Sequence, residues 1–388
     1  MKPKIATLYL IGLVQGISFT LIPGASAFLT SPEGFDLTSE QYGQLFIPMI
    51  ILSIFASFFG GAMAKKWGIR RVSIGSGFLN FLSMIIFALS SLYLNDGFVP
   101  LLICLFFLGA GFGANLATLN SYVFEFFPNR PSAALTALHA TLGLGTAIGP
   151  LLFQFSLQEM HWWIAPLLLA VGYLLLIFFT WSQFPLNLNL PRSGSSDISK
   201  RVWIFAAIAL LYGICETAFG NWGILFLKTV RDVPSEMASF SLSLFWASIT
   251  AGRILVAVLA TRLSPHRIYA FISLILIFSL FVLDFTSFLF SAFIIAGLGC
   301  SAFLPFTVSF GQKQDLCHAE MISGLIMAVY MCGYGLAAYG VGWMQSSFNF
   351  PLSSLFFYLL IPAFVLSLLV FITLSPRFTK ESGPFESR

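Results

Sequence analysis

The chain is 388 residues long, and its composition excludes a water-soluble globule: 58% of the residues are hydrophobic, 9% are charged, and the mean hydropathy is +0.92. An ordinary soluble domain carries roughly a quarter charged residues. The net charge is +4, and the five cysteines and four histidines show no metal-ligand spacing. The sequence therefore predicts neither a metal site nor a cofactor.

The apolar tracts predict membrane helices. They are continuous runs of about twenty residues or more, whereas a membrane barrel needs short strands of alternating apolar and polar side chains. Charges and loop residues separate twelve tracts, which lie near 5–31, 39–64, 71–94, 98–126, 132–155, 160–183, 201–228, 236–262, 267–287, 288–311, 319–345 and 351–374. We therefore expect an all-α integral membrane protein with twelve transmembrane helices (spans one to twelve). The boundary between spans nine and ten depends on Asp284 alone.

A polar stretch after the sixth span predicts how the helices are grouped. Residues 184–200 are rich in Pro, Ser, Asn and Gly and separate six spans from six. We expect a first six-helix bundle at 1–183, a linker at 184–200, a second six-helix bundle at 201–375 and a tail at 376–388. Repeated bundles are typical of transporters that hold substrate near the membrane midplane, although a plain loop in an unrelated twelve-helix protein would look the same.

The distribution of basic residues predicts the orientation in the membrane. If both termini are cytoplasmic, 16 of the 19 lysines and arginines lie on the cytoplasmic side. Lys228 and Arg231 then fall on the opposite side, and Arg253 falls within a span. Because cytoplasmic loops carry the excess of basic residues, we expect cytoplasmic termini and a plasma membrane location, with a bacterial inner membrane favoured.

The loop between spans two and three contains a recognisable motif. Residues 61–71 read GAMAKKWGIRR and resemble the loop motif G-x-L-x-D-R-x-G-R-R of the major facilitator superfamily, with matches at Gly61, Lys66, Gly68 and Arg70. The resemblance implies gating roles for Lys66, Gly68 and Arg70. Lys65 occupies the acidic position of the motif, so an ordinary charge-paired lock is not expected. The alternative is a plain basic loop in which glycine serves a tight turn.

Three further segments resemble the fucose:proton symporter group of that superfamily. They are residues 137–151 (ALHATLGLGTAIGPL), 212–227 (YGICETAFGNWGILFL) and 245–253 (FWASITAGR). The second segment matches at Tyr212, Glu216, Gly220 and Trp222. The resemblance implies a major facilitator fold, in which two bundles expose a central site alternately to each side, and proton-driven transport of a sugar.

Glu216 is an acidic residue deep within a predicted span. A charge at the bilayer centre costs at least about 2.5–3.5 kcal/mol, so such a residue is a functional candidate. Glu216 follows Arg201 by roughly 22 Å of helix, which places it beyond the midplane. We predict that Glu216 carries the coupling proton or binds substrate. A protonated glutamate that only joins two helices is the alternative.

Arg253 is the basic counterpart of Glu216 in span eight. It precedes Arg262 by roughly 13 Å of helix and therefore lies well inside the membrane. We predict a gating role in which Arg253 pairs with backbone carbonyls. Binding of a substrate oxyanion is the alternative.

Neutral polar residues of the first half are candidate substrate ligands. Gln15 stands in span one, where the fucose:proton symporters carry an acid, so a first-half coupling carboxylate is not expected here. Asn115 and Asn120 are about 140° apart around span four, so at most one of them is expected to face a cavity squarely. His139 in span five could donate a hydrogen bond or carry a proton, or it could simply join two helices.

Aromatic side chains of the second half complete the predicted substrate site. Aromatic faces with a few amide and carboxyl groups suit sugars and many other amphipathic solutes, although each ring alone is more often a packing residue. The predicted substrate-binding residues of both halves are Gln15, Asn115, Asn120, His139, Tyr212, Asn221, Trp222, Trp246, Tyr330 and Tyr334.

These features favour a secondary active transporter over an enzyme or an ATP-driven pump, because the sequence contains neither a clustered catalytic set nor a phosphate-binding loop. Expected partners are a small hydrophilic solute (a sugar favoured), protons and the lipid bilayer, without nucleic acid, and the chain is expected to be a monomer. Import or export of another metabolite, drug or siderophore, and diffusion without protons, stay open. The short soluble segments disfavour a non-transporting receptor.

Overall fold

A computed structural model describes residues 3–186, 199–283, 289–315, 319–375 and 378. In this part of the chain there are twelve helical spans and no strand, so the predicted all-α fold with twelve transmembrane helices is confirmed. The spans are Pro3–Gly24, Ser39–Trp67, Ile69–Leu92, Phe98–Phe126, Ala134–Glu159, Ile164–Gln183, Val202–Val230, Ser235–Leu259, Pro265–Val282, Leu289–Lys313, Met321–Phe348 and Leu352–Thr373. The predicted boundary at Asp284, residues 187–198 of the predicted linker and nearly all of the predicted tail lie outside the described residues.

Several spans consist of more than one helical segment. Span ten consists of Leu289–Cys300 and Phe303–Lys313, with Ser301 and Ala302 between the two helices. The helix of span five begins at Pro131 and that of span eleven at Ala319. The other interrupted spans are two (Ser39–Gln44 and Phe46–Trp67), three (Ile69–Leu89 and the 3-10 turn Ser90–Leu92) and twelve (Leu352–Ser354, Leu355–Tyr358 and Leu360–Thr373).

The chain forms two compact units that differ from the predicted halves. Unit 1 comprises Met1–Pro191, Gly220–Ala247 and Ala338–Leu352, and unit 2 comprises Arg192–Phe219, Ser248–Ala337 and Ser353–Arg388. Unit 1 therefore contains the first six spans together with one end of spans seven, eight and eleven. These three ends lie on one side of the membrane, which we call the far side. Span one also ends on this side. The division of the sequence at 184–200 into two bundles stays a prediction.

Glycines allow the spans of unit 1 to pack at backbone distance. A methyl group on Gly16 of span one would lie 2.0 Å from the carbonyl oxygen of Leu142, and one on Gly145 of span five would lie 2.1 Å from that of Leu13. Spans one and five therefore cross where neither tolerates a side chain, which is how small residues promote helix association in membranes.

On the far side, unit 1 is closed by contacts between spans of the two sequence halves. The Tyr42 hydroxyl of span two donates to the Asn221 carbonyl of span seven at 3.0 Å, and the Tyr42 ring meets Trp222 edge-on at 5.3 Å. The Gln158 amide of span five donates to the Glu236 carboxylate of span eight. Because Tyr42 and Trp222 are fully buried, this closure is a packed core rather than a surface contact.

Candidate functional site

Glu216 is buried in unit 2, where it interacts with two tyrosines and an arginine. It is the middle residue of Val202–Val230, with fourteen residues on each side, and its side chain is 6% exposed. Its depth in the membrane, beyond the midplane, stays a prediction. Its carboxyl group is hydrogen-bonded by the side chains of Tyr212 and Tyr330, and Arg253 acts on it electrostatically.

Close packing of spans seven and eleven brings Tyr330 to Glu216. A methyl group on Gly213 would lie 2.4 Å from the Tyr330 carbonyl oxygen, and one on Gly333 would lie 2.0 Å from the Leu210 carbonyl oxygen. Because the two backbones touch at these glycines, the tyrosine one turn before Gly333 reaches the neighbouring span.

The break in span ten has a simple chemical cause. In a continuous helix the carbonyl of Ser301 would accept from the N–H of residue 305, but residue 305 is proline, which has no N–H and whose ring crowds that carbonyl. The helix therefore stops at Cys300 and restarts at Phe303. A carbonyl freed inside a membrane needs a donor from elsewhere.

Side chains of spans seven and eight bond the carbonyls at this break. The Tyr212 hydroxyl donates to the Cys300 carbonyl at 3.1 Å, and Arg253 Nε donates to the Ser301 carbonyl at 3.1 Å. A methyl group on Gly252 would lie 2.5 Å from Ser301 Cβ, so the glycine lets span eight approach closely enough for Arg253 to reach the break. The same two residues thus bond the break and act on Glu216, Tyr212 through a hydrogen bond and Arg253 electrostatically.

The ring of Tyr212 is fixed from two sides. It stacks on Phe303, the first residue after the break, at 5.4 Å and on Tyr330 at 5.7 Å. Tyr212 is 1% exposed and Tyr334, also predicted as a substrate ligand, is 2% exposed. Unit 2 therefore brings together four of the predicted residues, namely Tyr212, Glu216, Arg253 and Tyr330.

In unit 1, three amides form a buried cluster that the sequence disclosed only in part. Gln15 Oε1 accepts from Asn80 Nδ2 at 2.9 Å and from Asn115 Nδ2 at 2.7 Å. The Ser76 hydroxyl donates to Asn115 Oδ1 at 3.4 Å. Gln15, Asn80 and Asn115 are at most 1% exposed. Asn80 was not among the predicted residues, because nothing in span three marks which of its polar side chains faces span one.

The cluster predicts opposite outcomes for two substitutions of Gln15. Gln15→Leu removes the shared acceptor and leaves two buried amide N–H groups unpaired, at a cost of about 1–3 kcal/mol each. Gln15→Glu keeps an oxygen for both donors and removes the Nε2 group, which has no partner. We expect the leucine variant to melt well below the glutamate variant in a thermal-shift assay. Equal losses would show that the amide bonds do not stabilise the protein.

The remaining predicted ligands lie elsewhere in unit 1. Trp222 is fully buried against Tyr42 in the far-side closure, where Asn221 provides a backbone acceptor. Trp246 is 7% exposed and lies against Gly220, where a methyl group would be 3.0 Å from its ring. His139 is half-buried, and Asn120 is half-buried with an Oδ1 atom that has no hydrogen-bond partner.

The loop between spans two and three ties span three to the end of span six. Arg70 Nη1 donates to the carbonyls of Trp181 and Phe184, each at 3.3 Å, and its guanidinium lies 5.8 Å from the centre of the Trp181 ring. Lys66 is exposed and lies 5.8 Å from the ring of Trp67. Arg70 thus anchors the loop within unit 1 through backbone carbonyls.

Gly68 occupies a backbone conformation that other residues avoid. Its φ of 87° and ψ of 137° separate the helices of spans two and three. We expect Gly68→Ala to destabilise the protein by about 1–3 kcal/mol, the usual cost of forcing a side chain into such a region. Thermal melting in detergent checks this, with Gly61→Ala as the control, because a methyl group on Gly61 meets nothing within 4 Å. Similar melting of both variants would contradict the prediction.

Comparisons with known proteins fit this architecture. A sequence model described as Major Facilitator Superfamily matches residues 8–322. The chain belongs to the major facilitator superfamily. It is therefore a membrane transporter and not an enzyme, as the sequence predicted.

Individual members of the superfamily resemble the chain at low sequence identity. The glucose/mannose transporter GlcP of Bacillus subtilis (strain 168) is 24% identical over 334 residues, which is 80% of each chain. Among solved structures, the nucleoside transporter NupG has a TM-score of 0.77 at 14% identity and covers 96% of this chain and 100% of its own. A D-xylose-proton symporter has a TM-score of 0.73 at 14% identity and covers 95% of this chain and 96% of its own. At these identities the solved structures show the major facilitator fold alone.

Proposed function

We propose that the protein is a proton-coupled transporter of a small hydrophilic solute, with a sugar as the favoured substrate, that works by alternating access. The observation that carries the proposal is Glu216, a buried carboxyl group at the middle of span seven with two tyrosine hydroxyls and a guanidinium as partners. A buried ionisable group in a span is costly and marks a transport or proton pathway.

A proton fits this environment better than a sodium ion. Unwound carbonyls and a carboxylate are the usual ligands of a coupling metal ion in broken transporter helices. Here the guanidinium of Arg253 bonds the Ser301 carbonyl and acts on Glu216. A metal ion would need the Ser301 carbonyl, which Arg253 already bonds, whereas a proton needs only the carboxylate of Glu216.

The preference for a sugar has two supports. The rings and hydroxyl groups of Tyr212 and Tyr330 lie beside Glu216, and the amides of Gln15, Asn80 and Asn115 form the buried cluster of unit 1. Aromatic rings, hydroxyls and amides are groups that suit a solute with C–H faces and hydroxyls. One relative is named a glucose/mannose transporter, and one structural neighbour is named a D-xylose-proton symporter. The substrate-binding roles of the ten predicted residues and the gating roles of Lys66, Gly68, Arg70 and Arg253 belong to this proposal.

The proposal includes a location and an assembly state. The excess of basic residues on the side of the termini supports cytoplasmic termini, and the membrane that we propose is a bacterial inner membrane. We propose that a monomer is the transporting unit.

Transport by purified protein in liposomes tests the proposal. Uptake of glucose, mannose and xylose is compared with uptake of a nucleoside, an amino acid and citrate, each with and without an inward proton gradient. We expect sugars to accumulate only with the gradient. Accumulation of citrate or a nucleoside instead would replace the sugar, and equilibration without gradient-driven accumulation would replace proton coupling.

Proton-independent diffusion is the second candidate, and one observation favours it. The first-half position that carries an acid in the resembling group is occupied by Gln15 within a neutral amide cluster. If Glu216 served only packing, the gradient in the same assay would have no effect on the final solute level.

A further inference from the structure

The hydroxyl of Tyr212 lies between two acceptors and has one proton to donate. It is hydrogen-bonded to Glu216, and it donates to the Cys300 carbonyl at 3.1 Å. A tyrosine hydroxyl can accept two hydrogen bonds but donate only one. Tyr212 can therefore bond the Cys300 carbonyl and Glu216 at the same time only if Glu216 supplies the proton of the bond between Glu216 and Tyr212.

The protonation state of Glu216 decides where the Tyr212 proton points. When Glu216 is protonated, its O–H donates to the Tyr212 oxygen, and the Tyr212 O–H donates to the Cys300 carbonyl. When Glu216 is ionised, it has no proton to donate and is acceptor-only. The Tyr212 O–H then turns to the carboxylate, and the Cys300 carbonyl loses its donor.

We propose that Tyr212 is a positioning residue that transmits the protonation state of Glu216 to the break in span ten. With a proton on Glu216, Tyr212 and Arg253 together hold the two carbonyls of the break. Without it, Arg253 alone holds the Ser301 carbonyl, and the segment around Cys300 loosens. The inference rests on the proposed role of Glu216 as the proton carrier.

The groups that surround Glu216 in unit 2 leave this role to Tyr212. Tyr330 of span eleven donates to Glu216 but has no bond to the break. Arg253 of span eight carries a permanent charge, and its bond to Ser301 does not involve a titrating proton. The neighbouring thiols of Cys215 and Cys300 are fully buried, and Tyr334 acts electrostatically on Tyr330.

The position of Tyr212 also explains how a small change in one bond can move a helix. Its ring stacks on Phe303, where span ten restarts, so the ring and the hydroxyl contact opposite sides of the break. Since a helix interrupted at a substrate site is a natural place for movement in transporters, release of one carbonyl there changes the restraint on both segments of span ten.

Backbone hydrogen exchange of purified protein in nanodiscs tests the inference. The reporter is the peptide that covers residues 298–306, with rates corrected for the intrinsic pH dependence of exchange. In the wild-type protein we expect exchange to be about fivefold faster when Glu216 is ionised than when it is protonated, as for loss of one buried hydrogen bond. In Glu216→Gln and in Tyr212→Phe we expect no such pH dependence.

Tyr269→Phe is the matched control. Tyr269 is also a fully buried tyrosine against Phe303, and its hydroxyl bonds Thr307 of the same span, but it has no contact with Glu216. We expect Tyr269→Phe to keep the wild-type pH dependence even if it melts earlier. Tyr330→Phe should also keep it, with a shifted midpoint.

The outcomes separate this inference from the proposed function. A pH response that survives in Tyr212→Phe, or that Tyr269→Phe abolishes too, overturns the role of Tyr212. If the wild-type peptide shows no pH response while Glu216→Gln loses gradient-driven accumulation, the inference fails and the proposed function stands. If Glu216→Gln keeps that accumulation, the proposed role of Glu216 as the proton carrier fails, and this inference fails with it.

Discussion

Replacing Glu216 by glutamine is expected to abolish solute accumulation driven by a pH gradient while leaving solute exchange between the two sides intact. Glutamine has nearly the same shape and can still bond Tyr212 and Tyr330, but it cannot bind or release a proton. One pH unit corresponds to about 1.4 kcal/mol, so coupling to one proton gives roughly tenfold accumulation per unit. The variant should lose all of it.

Liposomes with and without a pH gradient provide the measurement for Glu216→Gln, and counterflow of labelled solute shows that the variant still binds and moves substrate. Glu125→Gln is the matched control, because Glu125 is an exposed acid of span four in unit 1. Gradient-driven accumulation that persists in Glu216→Gln would assign proton coupling to another group. Loss of counterflow as well would point to a structural or substrate-binding role.

Replacing Gly145 by alanine is expected to destabilise the protein by about 1–3 kcal/mol, the usual cost of adding volume to a packed core. The added methyl group would lie 2.1 Å from the Leu13 carbonyl oxygen and 3.0 Å from the Cα atom of Gly16. These are backbone atoms, so span one must shift as a whole and lose its contact with span five.

Gly172→Ala in span six is the control for Gly145→Ala, because a methyl group there meets nothing within 4 Å. Alanine is a better helix former than glycine by about 1 kcal/mol, so Gly172→Ala should melt at or above the wild-type temperature. A thermal-shift assay in detergent compares the two variants. If Gly145→Ala melts with the wild type, the close crossing of spans one and five does not limit stability.

The sequence predicts the spans and the candidate charged residues because polar groups are costly in a membrane. Apolar runs long enough to cross a bilayer are visible without any knowledge of packing, which is why twelve spans could be predicted. Glu216 and Arg253 stood out for the same reason, since charged groups are rare at that depth. Both could be selected as candidates without knowledge of their partners. The superfamily was predicted from a different signal, the resemblance of residues 61–71 to its loop motif.

Contacts between spans could not be predicted from the sequence, because they depend on the rotation and crossing of helices, which hydropathy does not encode. The sequence identified Gln15 and Asn115 but not Asn80, which completes their cluster. Nor did it predict that Trp222, a predicted ligand, packs against Tyr42 in the far-side closure. A tryptophan in a span has the same apolar signal in either place.

The cause of the break in span ten is visible in the sequence, but its partners are not. Pro305 could have indicated that the carbonyl of Ser301 lacks its helical partner, because the reason lies in the covalent structure of proline. What the sequence by itself determined is therefore the number of spans, the buried charges and the site of a break. Only the tertiary structure decided that Tyr212 and Arg253 supply donors to this break, because close packing at Gly252 and Gly213 sets which side chains reach across.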